Sequence, residues 1–142
     1  MVTNCFKRCA SCSATGNGCS VTALTFHAAN FSHDNGDAVI FLFREGDAIP
    51  VSPFKKLKGK IENGKATIIF KNISYGDYAA ILLHDENSNG IIDHSFGIPC
   101  EPLGYTNTWR LTLISGMPTF EKLKFNFSKQ NTEQTIAISF IQ

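Results

Sequence analysis

Val39-Ile40-Phe41-Leu42-Phe43 is apolar at every position, with the polar stretch 32–37 before it and Pro50 and Pro53 after it. In an extended chain successive side chains point to opposite faces, so this run leaves neither face for water and suits a central strand covered on both sides. Upstream, Leu24, Phe26 and Ala28 alternate with Thr25 and His27, the period-2 signature of a strand with one buried face. Downstream, Lys60-Ile61-Glu62-Asn63-Gly64-Lys65-Ala66-Thr67 sets Asn-Gly, a pair that tolerates positive φ, between two extended stretches and predicts a hairpin. Phe70, Ile73 and Gly76 lead into a further strand over Tyr78 to His84, and later strands are expected at Trp109 to Ile114, Leu123 to Phe127 and Thr135 to Ile141. About seven or eight short strands, frequent turns and no long amphipathic helix predict an all-β fold, a single antiparallel β-sandwich over residues 21–142.

The chain has 142 residues, 43% of them hydrophobic and 12 of them Phe, which suffices for one packed core. Its formal net charge of +1, with Lys and Arg scattered, offers no electrostatic footprint for nucleic acid. The apolar runs Ala38 to Phe43 and Ala79 to Leu83 fall far short of the roughly 20 residues that span a bilayer, so no membrane insertion is expected. Residues 1–20 hold Cys5, Cys9, Cys12 and Cys19, four of the five cysteines, without helical or strand periodicity, and read as a flexible Cys-rich leader. The Cys5, Cys9, Cys12 spacing is that of radical SAM enzymes, whose chemistry needs a barrel of about 200 residues or more, and that reading is excluded. Four thiols also suit tetrahedral zinc, although no hydrophobic mini-domain surrounds them. An export signal needs an apolar stretch of roughly 7 to 15 residues, and none is legible here.

The chemistry concentrates in His84-Asp85-Glu86-Asn87-Ser88-Asn89-Gly90-Ile91-Ile92-Asp93. Asp85, Asn87, Asn89 and Asp93 have the alternate spacing with which a loop wraps a hard cation; Gly90 stands at the sharp turn and Ile92 at the apolar anchor. Phe96 occupies the position where an EF-hand has its bidentate Glu, so Glu101, presented by the stiff Pro99 to Pro102 connector, is the expected closing ligand. The cofactor expected is Ca²⁺, with weak affinity of about 10⁻⁴ to 10⁻³ M from so few carboxylates. The same residues also suit a turn bonded to its own backbone. A second metal reading takes His84, Asp93, His94 and Cys100 as zinc ligands, hydrolytic if one position stays open to water. With no nucleophile elbow, phosphate loop or dinucleotide fingerprint in the chain, it is not expected to be an enzyme. A third reading uses Tyr105 and Trp109, with Phe96, as an aromatic surface for a carbohydrate or protein partner, against the alternative that they close the end of the core.

The turn from Phe70 to Tyr78 resembles that of transthyretin-like and collagen-adhesin B-type modules. Gly76-Asp77-Tyr78-Ala79, the His84 to Gly90 stretch with Asp93, Phe96-Gly97-Ile98-Pro99, Glu101-Pro102, Gly104-Tyr105 and Pro118-Thr119-Phe120-Glu121 together resemble the bacterial domain of unknown function 2141 family over about residues 20–142. The resemblance implies a transthyretin-like or Ig-like sandwich, exported or envelope-associated and so extracytoplasmic, of unassigned activity. The cysteine-bearing leader and Cys100 depart from the usual pattern of that family.

Overall fold

The structure is a computed structural model that describes residues 22–90, 94–95, 98–99, 101–110 and 116–139. In chain order its elements are β1 (Ala23–Ala29), β2 (Asp37–Phe43), β3 (Lys55–Lys60), β4 (Ala66–Lys71), β5 (Gly76–Asp85), β6 (His94–Ser95), β7 (Ile98–Pro99), β8 (Leu103–Tyr105), α1 (Phe120–Leu123), β9 (Phe125–Phe127) and β10 (Glu133–Ala137). They form the predicted sandwich. The larger sheet runs β9-β5-β2-β3, with β8 also on β5, and the smaller runs β10-β1-β4. A two-stranded ribbon, β6 with β7, stands apart.

The apolar run is the central strand its composition demands, since every residue of β2 from Ala38 onward is buried. Its two faces serve two cores. Ala38, Ile40 and Leu42 join Ala80 and Leu82 of β5 against Leu24, Phe26, Ile68 and Phe70 of the smaller sheet. Val39, Phe41 and Phe43 face outward with Ala79, Ile81 and Leu83, and Leu103, Tyr105 and Leu123 cover them. In the inner core the Phe26 ring meets the Phe70 ring edge-on at 5.7 Å, and each such buried side chain contributes about 1.5 to 3 kcal/mol of burial free energy.

Four features depart from the simplest reading of the sequence. Asn63 and Gly64 do form a tight turn, with φ of 54° and 74° and Glu62 and Lys65 exchanging both backbone hydrogen bonds. Its arms then separate, Lys55–Lys60 pairing with β2 and Ala66–Lys71 with β1. The expected hairpin is thus a corner where the chain changes sheets. Each arm follows its own burial: β4 alternates buried and exposed, whereas β3 carries four lysines and contributes chiefly its backbone. Lysines on such an edge strand disfavour pairing with a further chain. Second, β10 pairs with β1 in parallel, a geometry that needs a long connection and here has most of the chain to supply it. Third, the strand expected at Leu123 to Phe127 begins as one turn of helix. The Thr119 side chain accepts a hydrogen bond from the Lys122 amide, and Glu121 sits in the first turn, so capping overrides strand propensity until Phe125. Fourth, Trp109 and Arg110 are not in a strand, while the rest of that expected strand falls at 111–115, outside the described residues. The last expected strand starts earlier, at Glu133, and residues 140–142 are likewise outside, as is the leader, residues 1–21.

The two sheets are stitched at one corner, where Leu103 bridges Ser139 and the Ser139 amide donates to the Leu103 carbonyl at 2.8 Å. Among the described residues no helix is long and apolar enough to cross a membrane.

Candidate functional site

One end of the sandwich gathers the turn between β1 and β2, the Asn63-Gly64 corner and the loop that leaves β5. The first two are locked by Asp34, whose carboxylate accepts from the Asn63 and Gly64 amides at 2.9 and 2.8 Å. The Gly64 amide, then the Asn63 amide, hold the Asp34 carboxyl below its usual value, because hydrogen bonds to the charged form favour it.

The loop after β5 is organised by two carboxylates. Asp85, the last residue of β5, is 1% exposed, and its Oδ2 accepts from the Gly90 amide at 2.7 Å while Oδ1 accepts from the Asn89 amide at 3.2 Å. Asn87 adds its Oδ1 to the same Asn89 amide at 3.1 Å, and the Ser88 amide donates to the Asp85 carbonyl at 3.2 Å. Glu101 arrives from the far side of the β6–β7 ribbon. It is 9% exposed, and its Oε2 accepts from the Glu86 amide at 2.8 Å. The neighbouring Pro102 carbonyl accepts from the His84 amide at 3.0 Å, which ties the connector to β5 and so aims Glu101 at the loop.

Of the five residues expected to hold calcium, the structure therefore brings Asp85, Asn87, Asn89 and Glu101 to one loop, and Asp93 lies outside the described residues. Side-chain oxygens of Asp85, Asn87 and Glu101 are engaged with backbone amides, the geometry of a turn bonded to itself. A carboxylate has about four lone-pair sites, and among the described residues two amides, those of Asn89 and Gly90, take about half of those on Asp85. Lys56 competes at the rim, its ammonium donating to the Gly90 carbonyl at 3.0 Å.

The zinc residues chosen from sequence are not assembled within the described region. The side chains of Asp93, His94 and Cys100 lie outside it. His84 is fully buried, with Nε2 2.8 Å from the Asn35 carbonyl. Sequence reasoning missed its actual neighbours: the His33 ring packs against it, tilted by 54° with ring centroids 4.6 Å apart, and the His33 Nε2 lies 2.7 Å from the Glu86 carboxylate, 53 positions later in the chain. No spacing rule links residues so far apart.

Tyr105 and Trp109 do meet, edge to face at 4.7 Å. Tyr105 is only 6% exposed and belongs to the outer core, against which half-buried Trp109 packs; the Lys122 ammonium lies 5.5 Å above the indole. Their arrangement is that of rings closing a core. Burial pushes the Tyr105 hydroxyl up to about 12, whereas in an unfolded chain a tyrosine ionises near 10. The stability this contributes is fully present below about pH 10 and is lost as pH rises towards about 12. Urea melts across that range, paired with ultraviolet titration of tyrosinate, should show stability falling while Tyr105 stays protonated in the folded protein.

No curated protein and no solved structure matches the chain. Residues 27–135 match the family described as an uncharacterized protein conserved in bacteria, DUF2141, and since that span is most of its length, the chain belongs to this family.

Proposed function

We propose that this domain is a non-enzymatic, extracytoplasmic binding or structural module whose loop from Asp85 to Glu101 takes Ca²⁺ and so orders one end of the sandwich. The observation that carries the reading is the convergence of two buried carboxylates, Asp85 from the end of β5 and Glu101 from beyond the ribbon, on the amides of a single turn. Hard oxygen donors converging on a tight loop are the donor set calcium prefers. The extracytoplasmic setting is supported by the exported character of the family the sequence resembles, and the affinity expected of such a loop, about 10⁻⁴ to 10⁻³ M, is one that extracellular calcium fills. The non-enzymatic part rests on the sequence, which carries none of the nucleophile or phosphate-binding motifs that would mark a reaction centre.

Calcium bound to the folded form alone stabilises it by mass action, by about 1.4 kcal/mol at tenfold excess over Kd, which for a domain of this size raises Tm by about 3 to 6 °C. Differential scanning calorimetry with and without calcium reads this shift. In the double variant Asp85→Asn, Glu101→Gln the shift disappears; a full shift in that variant rejects the site. Removing the competing ammonium with Lys56→Met tightens calcium by about threefold to tenfold, the effect of one unit charge a few ångströms away in a mostly aqueous setting.

A further inference from the structure

A second cluster at the same end of the molecule uses different donors. One ligand atom from each of His33, His84 and Glu86 lies within 4.8 Å of the other two. His84 forms the floor, fully buried, with the Phe31 ring edge-on at 5.1 Å. Because the Asn35 carbonyl only accepts, the His84 Nε2 at 2.8 Å from it carries the ring hydrogen. The lone pair of the neutral ring is then on Nδ1, and that buried atom has no hydrogen-bond partner among the described residues. Leaving a buried polar atom unsatisfied is unfavourable and uncommon. His33 and Glu86 form the rim, with side chains 39% and 40% exposed and 2.7 Å apart. His33 is held in orientation by the Asn35 amide, which donates to its Nδ1 at 3.2 Å.

We infer that His33, His84 and Glu86 form a binding site for a borderline divalent metal ion of the zinc, copper or nickel class. Imidazole nitrogen with one carboxylate suits these ions, whereas calcium selects oxygen. The Nε2–H of His84 on a backbone carbonyl is the outer-shell contact that fixes a ligating histidine in its metal-binding tautomer. Binding replaces the His33 to Glu86 hydrogen bond: the ring's one proton moves from Nε2 to Nδ1, the metal takes the freed Nε2 lone pair, and the long bond from the Asn35 amide to Nδ1 is given up. Three protein donors leave the remaining positions to water at the exposed rim. The site does not rest on the calcium reading, with which it shares no ligand.

The test is a titration of the chelator-stripped 142-residue chain with zinc, read by imidazole ¹⁵N NMR together with a competing chromophoric chelator. Once the cysteine thiols are filled, a further equivalent of zinc shifts the His33 and His84 ring nitrogens together. His33→Ala and Glu86→Gln, both at the surface, leave the metal-free fold intact; each weakens zinc by at least tenfold, and His33→Ala also abolishes the His84 shift. Imidazole resonances that stay unmoved once zinc exceeds the capacity of the cysteine thiols overturn the site. Imidazole shifts that persist at full affinity in both variants overturn it as well. Asp85→Asn with Glu101→Gln leaves zinc binding unchanged while calcium is lost, so the failure of either reading is separately visible.

Discussion

Gly104→Val is expected to remove a large part of the domain's stability. A side chain at this position of β8 starts with a Cβ inside the van der Waals envelope of the Ala137 carbonyl oxygen and 2.8 Å from the Ala137 carbonyl carbon. Both obstacles are backbone, so no rotamer change relieves them. The strand ends must part, breaking the Leu103 to Ser139 bridge that joins the two sheets and opening the outer core above Ile81 and Leu83, with which Tyr105 and Leu103 pair. Overpacking commonly costs about 1 to 3 kcal/mol, and more where backbone must move; with a bridge lost as well, about 4 kcal/mol or more is expected, a large part of a small domain's total stability. Urea denaturation followed by Trp109 fluorescence, beside circular dichroism, checks this. Gly104→Ala should be milder than Gly104→Val yet still lose at least about 2 kcal/mol, and a value near zero would mean that the sheets do not approach each other here.

Gly36→Ala is the second large effect, and it directly reaches the end of the sandwich proposed to bind metal. Gly36 has a φ of +81°, and an added Cβ would overlap the Asp85 carbonyl oxygen and sit 2.9 Å from the Glu86 Cα. The left-handed conformation alone costs about 1 to 2 kcal/mol for a residue with a Cβ. The clash adds about 1 to 3 kcal/mol by pushing the turn between β1 and β2 away from the end of β5. Gly46→Ala separates the two contributions, since Gly46 has a φ of +94° with nothing within 4 Å of its added Cβ; it should show only the first. Moving the turn also carries His33 away from Glu86 and His84, so Gly36→Ala should weaken zinc as well as lower the urea midpoint. A variant that lost stability and kept full zinc affinity would show that this close approach does not set the cluster.

The elements that sequence reading captured are those decided by local pattern. Val39 to Phe43 has no polar face to present, and the structure covers it on both sides. Leu24, Phe26 and Ala28 alternate and are buried as a set. The Asn63-Gly64 turn followed from two residues that accept positive φ. What the pattern did not contain was pairing at a distance. Nothing local distinguishes a hairpin from a corner whose arms join different sheets, and nothing in Glu133 to Ala137 states that its neighbour is a parallel β1. The strand expected from Leu123 lost its start to a cap at Thr119, a signal present in Pro118-Thr119 and outweighed by the apolar alternation that follows.

The site divides in the same way. Asp85, Asn87 and Asn89 were visible because alternate spacing in one loop is local, and Glu101 because two prolines restrict where its connector leads. His33 was invisible. Its position depends on Asp34 gripping the Asn63-Gly64 corner and on Gly36 letting the turn lie against the end of β5, both consequences of the assembled sandwich. His84 was noticed for its residue type, and its partners came only with the fold.

The most direct measurement is a crystal structure grown with calcium in large excess over the expected Kd. An ion is expected in the loop about 2.3 to 2.6 Å from carboxylate oxygens of both Asp85 and Glu101, with the Asn89 and Gly90 amides still on Asp85. A well-ordered loop holding no ion under those conditions, its carboxylates satisfied by amides alone, would contradict that expectation.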